Sequence, residues 1–124
     1  MPIEGMTRIT AHLNDIPLFA ADGQWVAYIS YPDHVLWRSR RDGSERLQFT
    51  YPPLIASMPR WSPDGKQIVF TGFETGKLQK IYLISSSGGA PQLLLPEDTA
   101  FKDDPIWSGK SIIFASLPTI RELR

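Results

Sequence analysis

The chain has 124 residues, 42 % of them apolar and 21 % charged, with 13 basic and 13 acidic side chains and no cysteine. That is one domain's length with enough apolar material for a core, which excludes wholesale disorder. The neutral balance argues against a non-specific nucleic-acid groove, and the missing cysteines exclude disulfides, cysteine-ligated zinc and thiol catalysis.

In chain order, Met1-Pro2-Ile3-Glu4-Gly5 has neither a basic start nor an apolar core, so no signal peptide is expected in it. No apolar run approaches membrane-spanning length. Thr7 to Thr10 reads as a lead-in strand, about 7–10. Ile16 to Phe19 and Trp25 to Ser30 read as two strands joined through Asp22-Gly23, and Tyr31-Pro32-Asp33-His34 as a loop. Val35 to Arg40 and Glu45 to Thr50 flank a hairpin signal at Asp42-Gly43. The cycle then restarts. Met58 to Trp61 leads into Ser62-Pro63-Asp64-Gly65, where Pro63 pre-sets φ and Gly65 tolerates its positive values. Gln67 to Thr71, Lys80 to Ser85 and Pro91 to Leu95 follow as strands. A third cycle opens at Pro105-Ile106-Trp107-Ser108 and continues through Ile112-Ile113-Phe114.

Val26-Ala27-Tyr28, Ile68-Val69-Phe70 and Ile112-Ile113-Phe114 superpose without a gap, and Leu36-Trp37 falls on Ile81-Tyr82. Asp22 and Asp64 lie 42 residues apart, Gly43 and Gly88 45, and Trp61 and Trp107 46. A period in the forties with four short strands per repeat is the pattern of β-propeller blades. The fold class expected is all-β, a partial β-propeller of about three four-stranded antiparallel blades. Its blade cycles run about 16–50, 57–95 and 104–124. An up-and-down sandwich or barrel is the alternative, but neither requires turns to recur in phase.

Trp61-Ser62-Pro63-Asp64-Gly65-Lys66 before an apolar strand, then Lys80-Ile81-Tyr82-Leu83-Ile84 and a Ser-Gly-Gly turn, resembles the WD40-like Pro-Asp (PD40) repeats of TolB-like β-propellers. The resemblance covers roughly residues 8 to 116. Only the middle repeat carries the whole motif: the first has Phe19-Ala20-Ala21 in place of Trp-Ser-Pro, and the third has lost the Pro-Asp pair after Trp107-Ser108. Such propellers have about six blades, and at most three are encoded here. The resemblance therefore implies a part of a longer propeller or a homo-oligomer, with an extracytoplasmic or periplasmic setting.

Candidate chemistry is sparse. Asp22, Asp42 and Asp64 sit in Asp-Gly turns, where aspartate bonds its own backbone, and no spacing gathers the oxygens that calcium needs. His12 and His34 are the only histidines, with no acid or nucleophile at a motif spacing. Ser108-Gly109-Lys110-Ser111 lacks the upstream glycine and following helix of a phosphate loop, and there is no Gly-x-Ser-x-Gly elbow. No catalytic residue, metal or cofactor is expected. Trp61, Pro63, Asp64, Gly65 and Trp107 are read as architectural, with Trp61 and Trp107 packing between blades. Arg38, Arg40, Arg41 and Arg46 cluster on one hairpin and read as solvated surface.

The loop face is where function is expected. Tyr31, Asp33, His34, Tyr51, Phe73, Lys77, Phe101 and Lys102 fall on loops that a propeller gathers at one end, and aromatics mixed with charges suit a protein-binding surface. The opposing reading is that these aromatics fold back over the blades. The expected function is thus a non-catalytic module binding a protein or peptide, with no nucleic acid and no membrane insertion. The alternatives are the propeller portion of a hydrolase or lyase whose catalytic part lies elsewhere, and a self-assembling repeat without a ligand.

Overall fold

The computed structural model describes residues 16–19, 23–98, 100–116 and 119–123. Among the described residues eleven strands form three antiparallel sheets, and there is no helix. The first sheet holds β1 (Ile16–Phe19), β2 (Trp25–Ser30), β3 (Val35–Arg40) and β4 (Leu47–Gln48). The second holds β5 (Ile55–Trp61), β6 (Gln67–Phe73), β7 (Lys80–Ser85) and β8 (Gln92–Leu94). The third holds β9 (Lys102–Ser108), β10 (Ser111–Ser116) and β11 (Thr119–Leu123). In each sheet strand order follows chain order, the meander of a propeller blade. The expected partial propeller of about three blades is the observed fold. The second and third blades begin at Ile55 and Lys102, two residues ahead of the boundaries read from sequence, and the third shows three strands among the described residues. The lead-in strand expected at 7–10 lies outside the described residues.

The turn that closes β5 onto β6 is built by its own side chains. Asp64 Oδ1 accepts from Ser62 Oγ at 2.6 Å and from the Lys66 amide at 3.0 Å. The Gln67 amide in turn donates to Ser62 Oγ at 3.0 Å, and Gly65 takes φ +74°, which a residue with a Cβ reaches only under strain. Asp64 is thereby a turn former, and its carboxyl is held below the usual range first by the Ser62 hydroxyl and then by the Lys66 amide.

The core lies between sheets. Ala27, Ile29 and Leu36 of the first blade meet Ala56, Ile68, Phe70 and Ile84 of the second. Val69 and Ile81 of the second meet Ile112 and Phe114 of the third. β6 serves both interfaces, sending Ile68 and Phe70 one way and Val69 the other, because successive side chains of a strand point to opposite faces. That is why Ile68-Val69-Phe70 is apolar without alternation. Trp61 packs on the first cluster and Trp107 on the second.

The repeat extends upstream of its turn. Ala56-Ser57-Met58-Pro59-Arg60-Trp61 and Lys102-Asp103-Asp104-Pro105-Ile106-Trp107 occupy the same stretch of β5 and β9. Each strand bulges there, and Met58 and Asp104 both adopt left-handed backbone, at φ 51° and 52°.

Candidate functional site

Antiparallel meanders bring the second-to-third-strand loops and the inter-blade loops to one end of the blades. Backbone bonds tie these loops together: the Ala56 amide donates to the His34 carbonyl at 3.0 Å, and the Lys102 amide to the Gln79 carbonyl at 3.1 Å. Within the 31–34 loop, Asp33 accepts from Ser30 Oγ at 2.7 Å, and the rings of Tyr31 and His34 meet edge-on at 4.7 Å between centroids. Tyr31 also packs on the first inter-blade cluster, so it is half committed to the core. Phe73 is half-buried at the end of β6. Tyr51 and Phe101 stand clear, 62 % and 39 % exposed, and Lys77 is exposed with Glu74 3.9 Å away. Leu78, 46 % exposed on the same loop end, belongs with them. The sequence reading missed it because a leucine beside lysines carries no signal of its own.

Lys102 departs from expectation. It begins β9 and is wholly buried, with Nζ donating to the Ala100 carbonyl at 2.9 Å and lying 3.2 Å from Asp98 Oδ1. Lys80 donates to the Asp98 carbonyl, and Arg121 bonds the Asp98 carboxylate. These contacts clasp β7, the 95–101 loop, β9 and β11, because a buried ammonium is tolerated only with anionic and carbonyl partners around it. Lys102 is therefore structural and leaves the partner surface. Arg121, the Ala100 amide and Lys102, in that order, hold the Asp98 carboxyl far below the usual carboxylate range.

The opposite, turn end carries two grooves between consecutive blades. One, of about 410 Å³, runs between the second and third blades and is lined by Ser62, Pro63, Asp64, Gln67, Trp107, Gly109 and Lys110. The other, of about 120 Å³, runs between the first and second and is lined by Trp25, Arg38, Trp61, Gly65, Ser86 and Ser87. Arg38 and Arg40 lie over the Trp25 ring, at 4.3 and 4.4 Å from its centroid. Arg40 pairs with Glu45 at 2.6 Å, whereas Arg38 Nη1 donates to the Ser86 carbonyl at 2.7 Å. Burial lowers the Arg38 pKa, with Glu45 opposing it and the Arg40 charge adding to it. Arg38 Nε and Trp61 Nε1 are buried without an acceptor. Leaving such a donor unmade costs roughly 1–3 kcal/mol, more when it is charged.

Among the described residues, no three or more histidine, aspartate or glutamate side chains converge as a metal site would require.

No family model matches the chain. It is 29 % identical over 111 aligned residues to an uncharacterized peptidase, YuxL, of Bacillus subtilis, an alignment covering 78 % of this chain and 16 % of the relative. Among solved structures, one assigned as TolB from Agrobacterium tumefaciens aligns with a TM-score of 0.60 at 26 % identity, over 81 % of this chain and 36 % of that one. TolB from Acinetobacter baumannii aligns with a TM-score of 0.68 at 22 % identity, over 87 % of this chain and 28 % of that one, a likeness of fold. The chain thus spans little more than a third of the longest-covered relative and about a sixth of the peptidase.

Proposed function

For a chain built as consecutive blades of a TolB-like propeller, we propose the role of a non-catalytic module that binds a protein or peptide through its loop end. The observation that carries this reading is the exposure of Tyr51, Leu78 and Phe101 on loops that the blades hold rigidly at one end. Large apolar side chains left in water beside charges such as Lys77 and Glu74 are the composition of a protein-binding patch. The folded-back reading takes Tyr31 and Phe73; it does not take Tyr51 or Phe101. The resemblance to TolB-like propellers adds the expectation of an extracytoplasmic, periplasmic setting.

The double variant Tyr51→Ala/Phe101→Ala tests this. Capture of the native partner should fall by about tenfold or more, as the loss of aromatic anchors does at protein interfaces. The melting temperature should stay within a degree or two of the parent. Undiminished capture, or collapse of the fold, would count against the loop end.

The likeness to a peptidase supports a second reading, in which these blades are the propeller portion of a hydrolase. On that reading the native polypeptide carries a catalytic domain, and an activity-based peptidase probe labels it outside residues 1–124.

In either case we infer that the far face of the third blade receives a further blade. Ile106 pairs with Ile113 and Ile120 with Ala115, all on the side away from the buried Ile112 and Phe114. Ile106 and Ile120 are 44 % and 77 % exposed. The covering blade comes from the same polypeptide or from a second copy.

A further inference from the structure

We propose that the groove between the first two blades, at the turn end, binds a carboxylate group through Arg38 and Trp61. Three observations converge on it. The first is unspent hydrogen-bonding capacity. Nη1 of Arg38 is occupied by the Ser86 carbonyl, while Nε, on the guanidinium's side edge, has no acceptor, and neither has Trp61 Nε1. Both side chains line the same cavity of about 120 Å³. A guanidinium's side edge presents parallel N–H groups that match the two oxygens of a carboxylate.

The second is charge. Four arginines crowd the hairpin at 38–46 against Asp42 and Glu45, and Glu45 is engaged by Arg40. Arg38 makes no ion pair with any described carboxylate, and Arg40 adds a second cation over the same Trp25 ring. A partly buried cation with a second cation beside it, whose acidic neighbour Glu45 is already bonded to Arg40, is a site that gains from an incoming anion.

The third is a comparison inside the molecule. In the equivalent groove between the second and third blades, Trp107 stands for Trp61, Gly109 for Gly65, Gln67 for Trp25 and Leu83 for Arg38. There the indole Nε1 of Trp107 donates to the Arg60 carbonyl at 3.0 Å, Leu83 stands where the arginine would be, and the cation lining the groove, Lys110, comes from the turn of the third blade instead. Blade packing therefore requires neither the arginine nor an unpaired indole. The first groove carries both. The few donors favour a planar carboxylate over a tetrahedral anion, which brings four oxygens to satisfy. An aspartate or glutamate side chain and a peptide C-terminus present the same group. The site lies at the end of the blades opposite Tyr51 and Phe101 and does not rest on the loop-end reading.

The test follows the tryptophan indole N–H resonances of the 15N-labelled chain during titration with acetate against chloride at constant ionic strength. The Trp61 resonance should shift saturably, while those of Trp37 and Trp107, which donate to Ser30 Oγ and the Arg60 carbonyl, hold still. Arg38→Gln should weaken binding about tenfold or more, and Arg38→Lys by less, since the charge stays and the fork is lost. Unmoved Trp37 and Trp107 resonances in both variants report an intact fold. N-acetylglycine and N-acetylaspartate amide, run as separate arms, distinguish a terminal from a side-chain carboxylate by which binds more tightly. No saturable shift, a shift shared by all the indoles, or one unchanged in Arg38→Gln overturns the site. Inorganic phosphate binding more tightly than acetate overturns the carboxylate assignment.

Discussion

Asp98 is the side chain on which the third blade's attachment turns. It receives Arg121 and Lys102 on its carboxylate, and its backbone carbonyl receives Lys80. Its folded pKa lies below the unfolded value of about 3.9, so its contribution to stability is present above that value and is lost as pH falls. Asp98→Asn should therefore lower the melting temperature at pH 7, and the gap from the parent should close as the pH is taken well below 4. Parallel melting curves across that range would sink the account. Lys102 illustrates what one dimension hides: a lysine after Phe101 looks like loop surface, and only the clasp from Asp98 and Ala100 explains its burial. Arg38 is the mirror case. It reads as one of four arginines on a solvated hairpin, and nothing local reveals that its guanidinium reaches the Ser86 carbonyl, 48 residues on.

At the scale of elements, β6 is the most constrained strand. Ile68, Val69 and Phe70 are wholly buried, and Phe70 stacks on Tyr82 of β7 with ring centroids 5.4 Å apart. Gly72, farther along β6, leaves the space that Leu54 and Tyr82 fill. A Cβ there would sit 3.0 Å from Tyr82 Cε1 and 3.1 Å from Leu54 Cδ1. Gly72→Ala, which in an open strand is mildly stabilising, should here cost about 1–3 kcal/mol through overpacking. Chemical denaturation with an unchanged m-value would measure it, and a gain in stability would refute the crowding. The strands and turns were legible because Asp-Gly and Pro-Asp-Gly punctuate apolar runs in phase. The bulges at Met58 and Asp104 were not, since methionine gives no sign of left-handed backbone and an aspartate outside an Asp-Gly pair marks no turn by itself.

At the scale of the molecule, the blades are stacked like members of an array, each buried only by its neighbours. Ile106, Ile113 and Ile120 continue that array outward. If a second copy covers them, the chain sediments at a multiple of its 14.0 kDa at micromolar concentration, and Ile120→Asp returns it to 14.0 kDa with its blades still folded. A parent chain that is monomeric throughout removes the self-association arm and leaves the longer polypeptide. The blade count and the meander came from repeat spacing; which blade carried chemistry did not, because the two grooves differ through residues drawn from separate blades.

The division of labour along β6 has a consequence for how such arrays change over generations. Ile68 and Phe70 answer to one neighbour and Val69 to the other, so each boundary is specified by every second letter of a single strand. One boundary can drift while the other is held. The interleaved letters also fix the sequence in which blades are assembled: exchanging two of them would set each strand's faces against the wrong partners. Serial position in the array is thus encoded locally, and a transplanted blade must bring half of each neighbour's specification with it.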